Sequence, residues 1–346
     1  MITKTTLPVP AHFDPTTVGE LWQVPYQQRA DEAVAYAKAN GVTPAANDDP
    51  RIALMVIDAQ NTFCLPTGEL FVGGRSGNGA VEDNVRLVEF IYRNLGFITE
   101  IAATMDTHTV MQIFHAKFWV DEAGNHPAPM TIITAEDVER GVWQVNPAIA
   151  KSVAGGNYLG LRRHAKHYVN RLTEGGKYPL IIWPYHAMLG GAGHNLVPAV
   201  EEALFFHNQA RAAQTQFEIK GGNPLTENYS VLAPEVRDGA DGTPIAQKNI
   251  RFIKRLMAFD MVIIAGQAKS HCVAWTIDDL LTEITQQDPD LAKKVYLLED
   301  CTSPVVVPGV IDFTDQADEA FDRFKAADMN VVQSTTPVAD WPDVRL

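Results

Sequence analysis

The chain has 346 residues, 46% apolar and 20% charged, a composition that supports a large globular core. Its formal charge of −14 argues against nucleic acid or an anionic membrane as a partner, because both would repel it. The only cysteines, Cys64, Cys272 and Cys301, are too few and too widely spaced for a disulfide framework, so a reduced, cytoplasmic setting is expected.

The opening residues "MITKTTLPVPAHFDP" carry prolines and no apolar signal-like core, and no apolar run approaches the roughly 20 residues of a membrane span. Residues 1–50 are expected to be an N-terminal extension with one helix ending at Gly41, joined by the linker "VTPAANDDPR". From residue 51 the chain alternates. "RIALMVID" is a short unbroken apolar run, as in a strand buried on both faces. "AVEDNVRLVEFIYRNLG" has helical periodicity, and "FITEIAATMD" is the next strand. Residues 116–178 break the rhythm and are expected to be an insertion over one edge of the sheet or at a subunit contact. They contain helices near 135–141 and 160–174. Beyond them the predicted order is strand "YPLIIWP", helix "LVPAVEEALFFHNQARAA", strand "TQFEIK" and helix "IAQKNIRFIKRLMAF". Strand "DMVIIAG", helix "VAWTIDDLLTEITQ", strand "KVYLLED", helix "ADEAFDRFKAAD" and strand "MNVVQS" complete it, ahead of a tail at 336–346. Such alternation predicts an α/β fold with a mostly parallel central sheet and helices on both faces.

In open α/β sheets the binding crevice lies at the carboxyl ends of the strands. Five predicted strand ends here carry reactive groups: Asp58, Asp106 with His108, His186, Lys220 and Cys272. Cys272 stands where a strand hands over to a helix, and the free N–H groups of a helix N-terminus favour a thiolate nucleophile. Asp58 could take the thiol proton and return it to a leaving amine, and Lys220 would keep the acid ionised at rest. Asp106, His108 and His186 suit zinc, iron or manganese. His115, expected on a helix over 112–119, reads first as a packed or exposed histidine and second as a fourth ligand. His126, His194 and His271 have weaker claims, with His271 orienting the turn before the thiol. Cys64 and Cys301 read as small buried hydrophobes.

With these residues in place, the chain resembles the isochorismatase-like cysteine hydrolases, and among them the nicotinamidase/pyrazinamidase group. "VIDAQNTF", "MDTH", "WPYHAMLGGAG", "FEIKGGNPLTENYSVL" and "GQAKSHCVAWTIDDL" carry the likeness in the family's order, over residues 51–335 without the insertion. The resemblance implies a three-layer sandwich. It implies a triad of Asp58, Lys220 and Cys272, and a metal held by Asp106, His108 and His186. It also implies an oxyanion hole from the amides of Ala268 and Cys272, a cis peptide between Gln267 and Ala268, and Phe63 and Trp183 flanking an aromatic substrate. The implied reaction cleaves a small carboxamide to carboxylate and ammonia through a thioester, with a divalent metal, zinc first and iron or manganese next, in a homo-oligomer. This sequence departs from the family pattern at Thr62, in "DTH", at Ala187 and in the spacing from His108 to His115. The alternatives are a related C–N hydrolase acting on a carbamoyl or ureido compound, and a catalytically silent protein that keeps the fold.

Overall fold

The computed structural model describes residues 6–344. Residues 1–5 of the expected extension and 345–346 of the expected tail lie outside the described residues. The first central strand, β1 (Ile52–Ile57), is apolar throughout because both its faces are covered. Ile52, Leu54 and Val56 enter one core, and Ala53, Met55 and Ile57 the other. With β2 (Glu100–Asp106), β3 (Gln216–Lys220), β4 (Met261–Gly266), β5 (Val295–Leu298) and β6 (Asn330–Val332) it forms a six-stranded, all-parallel sheet in the order β6-β5-β4-β1-β2-β3. The order reverses between β1 and β4, and the crevice outside a parallel sheet opens at such a switch point.

Helices cover both faces. Helix α1 (Tyr26–Asn40) packs on α5 (Pro198–Arg211), which packs on α2 (Gly79–Arg93) over one face. On the other lie α6 (Ile250–Met257), α7 (Ala274–Gln287) and α8 (Thr314–Ala326), through Phe252, Ile277 and Phe321 among others. Helix α1 ends at Gly41 with φ +65°, a left-handed cap that a Cβ would strain. The chain between α1 and β1 is pinned by Arg211, whose fully buried guanidinium bonds the Asp48 carboxylate and the Thr43 carbonyl. Residues 116–178 hold the helices α3 (Ala135–Arg140) and α4 (Tyr158–Glu174), a short helix at Ala150–Ala154 between them, and a two-stranded ribbon pairing Trp119–Val120 with Gln144–Val145. Trp119, Ile133, Leu161 and Tyr168 join the larger core.

Three expectations are corrected. "YPLIIWP" is not a central strand: only Leu180–Ile181 is extended, pairing antiparallel with Ile132–Ile133. The place beside β2 is taken by β3, and an apolar run does not announce its partner. The helix expected over 112–119 is a single tight turn, Ala116–Phe118, with His115 just before it. Helix α6 starts only at Ile250, capped by the Asn249 side chain, which accepts the Phe252 N–H at 3.2 Å.

His207 of α5 is buried, its Nε2 2.8 Å from the Ile98 carbonyl and its Nδ1 without a partner. Burial lowers its pKa from 6.5 to about 4. Between those values the unfolded chain binds a proton that the native state refuses. The stability from this group is therefore complete above about 6.5 and is lost as pH falls towards about 4. His207→Gln, which keeps a donor for Ile98, is expected to flatten the acid side of the stability profile by one proton, measured as denaturant midpoints against pH. A slope equal to that of the unsubstituted chain would show that His207 is charged in the native state.

Candidate active site

The sheet delivers the reactive side chains to one crevice. Asp58 leaves β1 with φ +45°, a left-handed turn that few non-glycine residues adopt. Thr104 of β2 locks it: its hydroxyl donates to Asp58 Oδ1 at 2.5 Å and accepts the Asp58 N–H at 3.0 Å. Lys220 at the end of β3 is buried, and its ammonium lies 2.9 Å from Asp58 Oδ2 and 3.0 Å from Asp106 Oδ1. It also donates to the Asn228 carbonyl at 2.9 Å and reaches Cys272 Sγ at 3.5 Å. The structure thus brings Asp58, Lys220 and Cys272 together, with Asp106 on the same ammonium.

Cys272 does not open an ordinary helix. It lies in a wide π-helical turn, Lys269–Val273, that runs into α7, a distortion frequent at functional sites. The turn follows Gly266 at the end of β4, where φ is +119° and a Cβ would overlap the backbone of Ile57. The peptide between Gln267 and Ala268 is cis. The Lys269 N–H donates to Ser303 O at 2.8 Å and the Val305 N–H to Ser270 Oγ at 3.0 Å, so the chain after β5 clamps the turn. From the inserted segment, the Tyr178 hydroxyl donates to Ser270 O at 3.0 Å.

Burial dominates the electrostatics. It pushes the Cys272 thiol well above its usual range; the Lys220 ammonium pulls it down, and Asp58 and Asp106 push it up. Burial and the two acids thus favour the thiol, and Lys220 favours the thiolate. Burial also raises the Asp58 carboxyl against the pull of Lys220. It works against the Lys220 charge, yet Asp106 and Asp58 outweigh it and hold that pKa well above the ordinary lysine value. Asp106 is pushed up by burial but held well below the usual carboxylate range by His108 and Lys220.

Asp106, His108 and His186 offer ligand atoms that all lie within 4.8 Å of one another, each residue buried. His108 Nε2 is 2.7 Å and His186 Nε2 3.7 Å from Asp106 Oδ2. The opposite nitrogens face backbone carbonyls, His186 Nδ1 that of Pro184 at 2.7 Å and His108 Nδ1 that of Gly221 at 3.3 Å. A proton on each Nδ1, donated to those carbonyls, would leave the Nε2 lone pairs facing inward, the orientation that metal-binding histidines need. This donor chemistry fits a divalent cation. His186 arrives on the segment that left the sheet, held where the His108 N–H donates to the Ala187 carbonyl at 3.0 Å.

His115 lies beside the set, its ring centroid 5.7 Å from that of His108, with Nδ1 3.0 Å from Thr109 O and a buried Nε2 that has no partner. His126 is tied to the Trp119 carbonyl and His194 to the Thr107 hydroxyl. Cys64 and Cys301 are buried, and burial pushes both thiols up.

A pocket of about 430 Å³ opens on Cys272, with Phe63, Trp183, Ala268 and the three candidate ligands in its walls. Sequence reasoning passed over several of its supports. Gln60 donates to Asp106 O at 2.9 Å and accepts the Asp106 N–H at 2.7 Å, although it stands in "VIDAQNTF". Gly221 has φ +87°, and a Cβ there would sit 2.7 Å from Asp106 Oδ1 and from His108 Cε1. Glu227 lines the pocket, its carboxyl raised by burial and by Glu235. Tyr229 accepts the Trp183 indole N–H at 3.2 Å. His271 stands in a cage of Tyr178, Trp183, Tyr229 and Phe313, which keeps it neutral with a pKa of about 3 through burial. The "KGG" after β3 was the one available signal for Gly221; the others answer to spatial neighbours that sequence distance hides.

No family model and no curated protein sequence matches the chain. Among solved structures, the yeast nicotinamidase is similar over 81% of this chain and 99% of its own, at 20% identity and a TM-score of 0.50. A nicotinamidase/pyrazinamidase of Acinetobacter baumannii matches over 84% of this chain and 99% of its own, at 18% identity and a TM-score of 0.49. The likeness to the yeast enzyme is one of fold: the chain carries that parallel α/β sandwich, and its use is argued from the site.

Proposed function

We propose that the protein is a cysteine-dependent amidohydrolase that cleaves a small carboxamide to a carboxylate and ammonia. The observation that carries this reading is the buried Lys220 ammonium, in reach of Asp58, Asp106 and Cys272 at once. The fold shared with a nicotinamidase supports it. The pocket's modest volume and its walls of Phe63, Trp183 and Tyr229 support a small, flat amide such as nicotinamide.

In this reading Asp58 accepts the thiol proton as the Cys272 sulfur attacks the carboxamide carbon. Oδ1 is occupied by Thr104, so Oδ2 is the oxygen that moves the proton. Lys220 keeps that carboxylate charged until the moment of transfer. The amides of Ala268 and Cys272 hold the oxygen of the tetrahedral intermediate. Asp58 then gives its proton to the leaving nitrogen, and ammonia departs from an acylated sulfur. A water attacks the thioester, its proton passing to Asp58; the C–S bond breaks and Asp58 returns the proton to sulfur. Asp106, His108 and His186 would hold a zinc, iron or manganese ion, and such an ion supplies a Lewis-acidic contact for the substrate or a water. This ligand set also favours the nicotinamidase-like reading over a carbamoyl or ureido hydrolase.

An ammonia-release screen over nicotinamide, pyrazinamide and assorted aliphatic and ureido amides tests the proposal. Cys272→Ala is expected to abolish release while the circular dichroism spectrum stays unchanged; retained turnover would remove Cys272 as the nucleophile. Asp58→Asn is expected to lower kcat by roughly 10²–10⁴-fold, the scale of a lost general acid–base, with KM nearly unchanged. Equal loss in both constants would make Asp58 structural. His186→Ala and Gly221→Ala are each expected to reduce bound metal by elemental analysis, the first by removing a ligand and the second by pushing a Cβ into Asp106 and His108. Full metal content in both variants would dissolve the ligand set.

A further inference from the structure

The inserted segment carries a cationic helix face. Leu159, Arg162, Arg163 and Lys166 stand at i, i+3, i+4 and i+7 on α4, so they share one helical face. The opposite face is spent on the core through Leu161, Tyr168 and Leu172. The outward stripe borders a groove of about 1020 Å³ between α3 and α4, floored by Trp119 and Val145.

Arg140 adds a fourth cation, and the only carboxylate in the lining is Glu139, 2.8 Å from Lys166. Arg162 lies over the Tyr158 ring at 5.8 Å, and neither it nor Arg163 has an ion-pair partner among the described residues. Glu136, 3.2 Å from Arg140, adds a second acid at the rim, so four cations face two acids, an excess of +2 on a chain of −14. A solvated helix face on an acidic protein ordinarily mixes signs. This one also presents an apolar group: Leu159 is 65% exposed.

We propose that this groove docks an acidic segment of a partner protein, one that carries an apolar side chain among its carboxylates. Charge complementarity selects the acid, and exposed Leu159 with Trp143 at the groove provides for the apolar anchor. A bilayer fits less well, because the cations line a concavity between two helices and the chain as a whole repels anionic lipid. The site lies outside the catalytic pocket and holds whether or not the amidase reading does.

The test uses the full-length protein and a fluorescein-labelled, glutamate-rich helical peptide with leucine at every third or fourth position. Anisotropy is expected to show saturable binding that weakens as salt rises. The exposed double reversal Arg162→Glu/Arg163→Glu is expected to weaken it at least roughly tenfold, the scale of a lost interfacial charge pair. Leu159→Ser is expected to weaken it at unchanged charge. The charge-matched control Lys254→Glu/Lys325→Glu should bind as the unsubstituted chain does, and ammonia release should be unaffected in all. The proposal fails if no saturable binding appears or if the groove reversal matches the control. It also fails if phosphatidylserine vesicles bind through these arginines and the peptide does not. Sedimentation velocity supplies a further overturning result: self-association abolished by the groove reversal would make the occupant a second copy of this chain.

Discussion

One buried ammonium organises the centre of this molecule. Lys220 holds two buried carboxylates that would otherwise repel each other, and it touches the sulfur as well. Removing one partner of such a buried set costs on the order of 3–5 kcal/mol, because it strands charge in a poor dielectric. Two acids fixed by one cation are an expensive arrangement for stability alone. Their environments also diverge: Asp58 is pushed up by burial while His108 and Lys220 hold Asp106 down. In the amidase reading proposed above, two carboxyls pushed apart in this way would serve proton transfer and ligation.

The backbone around this centre is built for close approach. Gly266 lets β4 run against Ile57, and Gly221 lets β3 end against Asp106 and His108. Asp58 itself takes a left-handed turn, a conformation that persists only where its surroundings over-determine it. Here those surroundings are the two hydrogen bonds shared with Thr104, one in each direction, and the facing Lys220. The inserted segment belongs to the same construction, since Tyr178 braces the turn that carries Cys272 and the His164 ring bonds the Leu225 carbonyl beyond β3. The π-helical turn then sets Cys272 beside Lys220 rather than on the regular helix that follows.

The strand ends that carry Asp58, Asp106, Lys220 and Cys272 were legible because a parallel sheet concentrates function at its carboxyl edge, and short apolar runs mark where strands stop. His186 was legible as a residue and misread as a position. Its segment pairs with Ile132–Ile133 rather than the sheet, yet its ring still meets Asp106 through contacts in the loop after it. Thr104, Gln60 and Glu227 went unseen because their partners lie across strands, and no local pattern encodes such a pair. The burial of the sulfur went unseen for a related reason: a helix terminus favours thiolate, whereas the depth that works against it is a property of the assembled core.

By itself the sequence determined the class of fold, since unbroken apolar runs alternating with amphipathic helices have few other ways to hide their surfaces. It also determined which residue types were available for chemistry. Only tertiary structure decided that Lys220 sits between Asp58 and Asp106 and that the Nε2 atoms of His108 and His186 turn towards Asp106. It alone set the cations of α4 along an open groove. Those are outcomes of distance and orientation, which arise when segments far apart in the chain pack against one another.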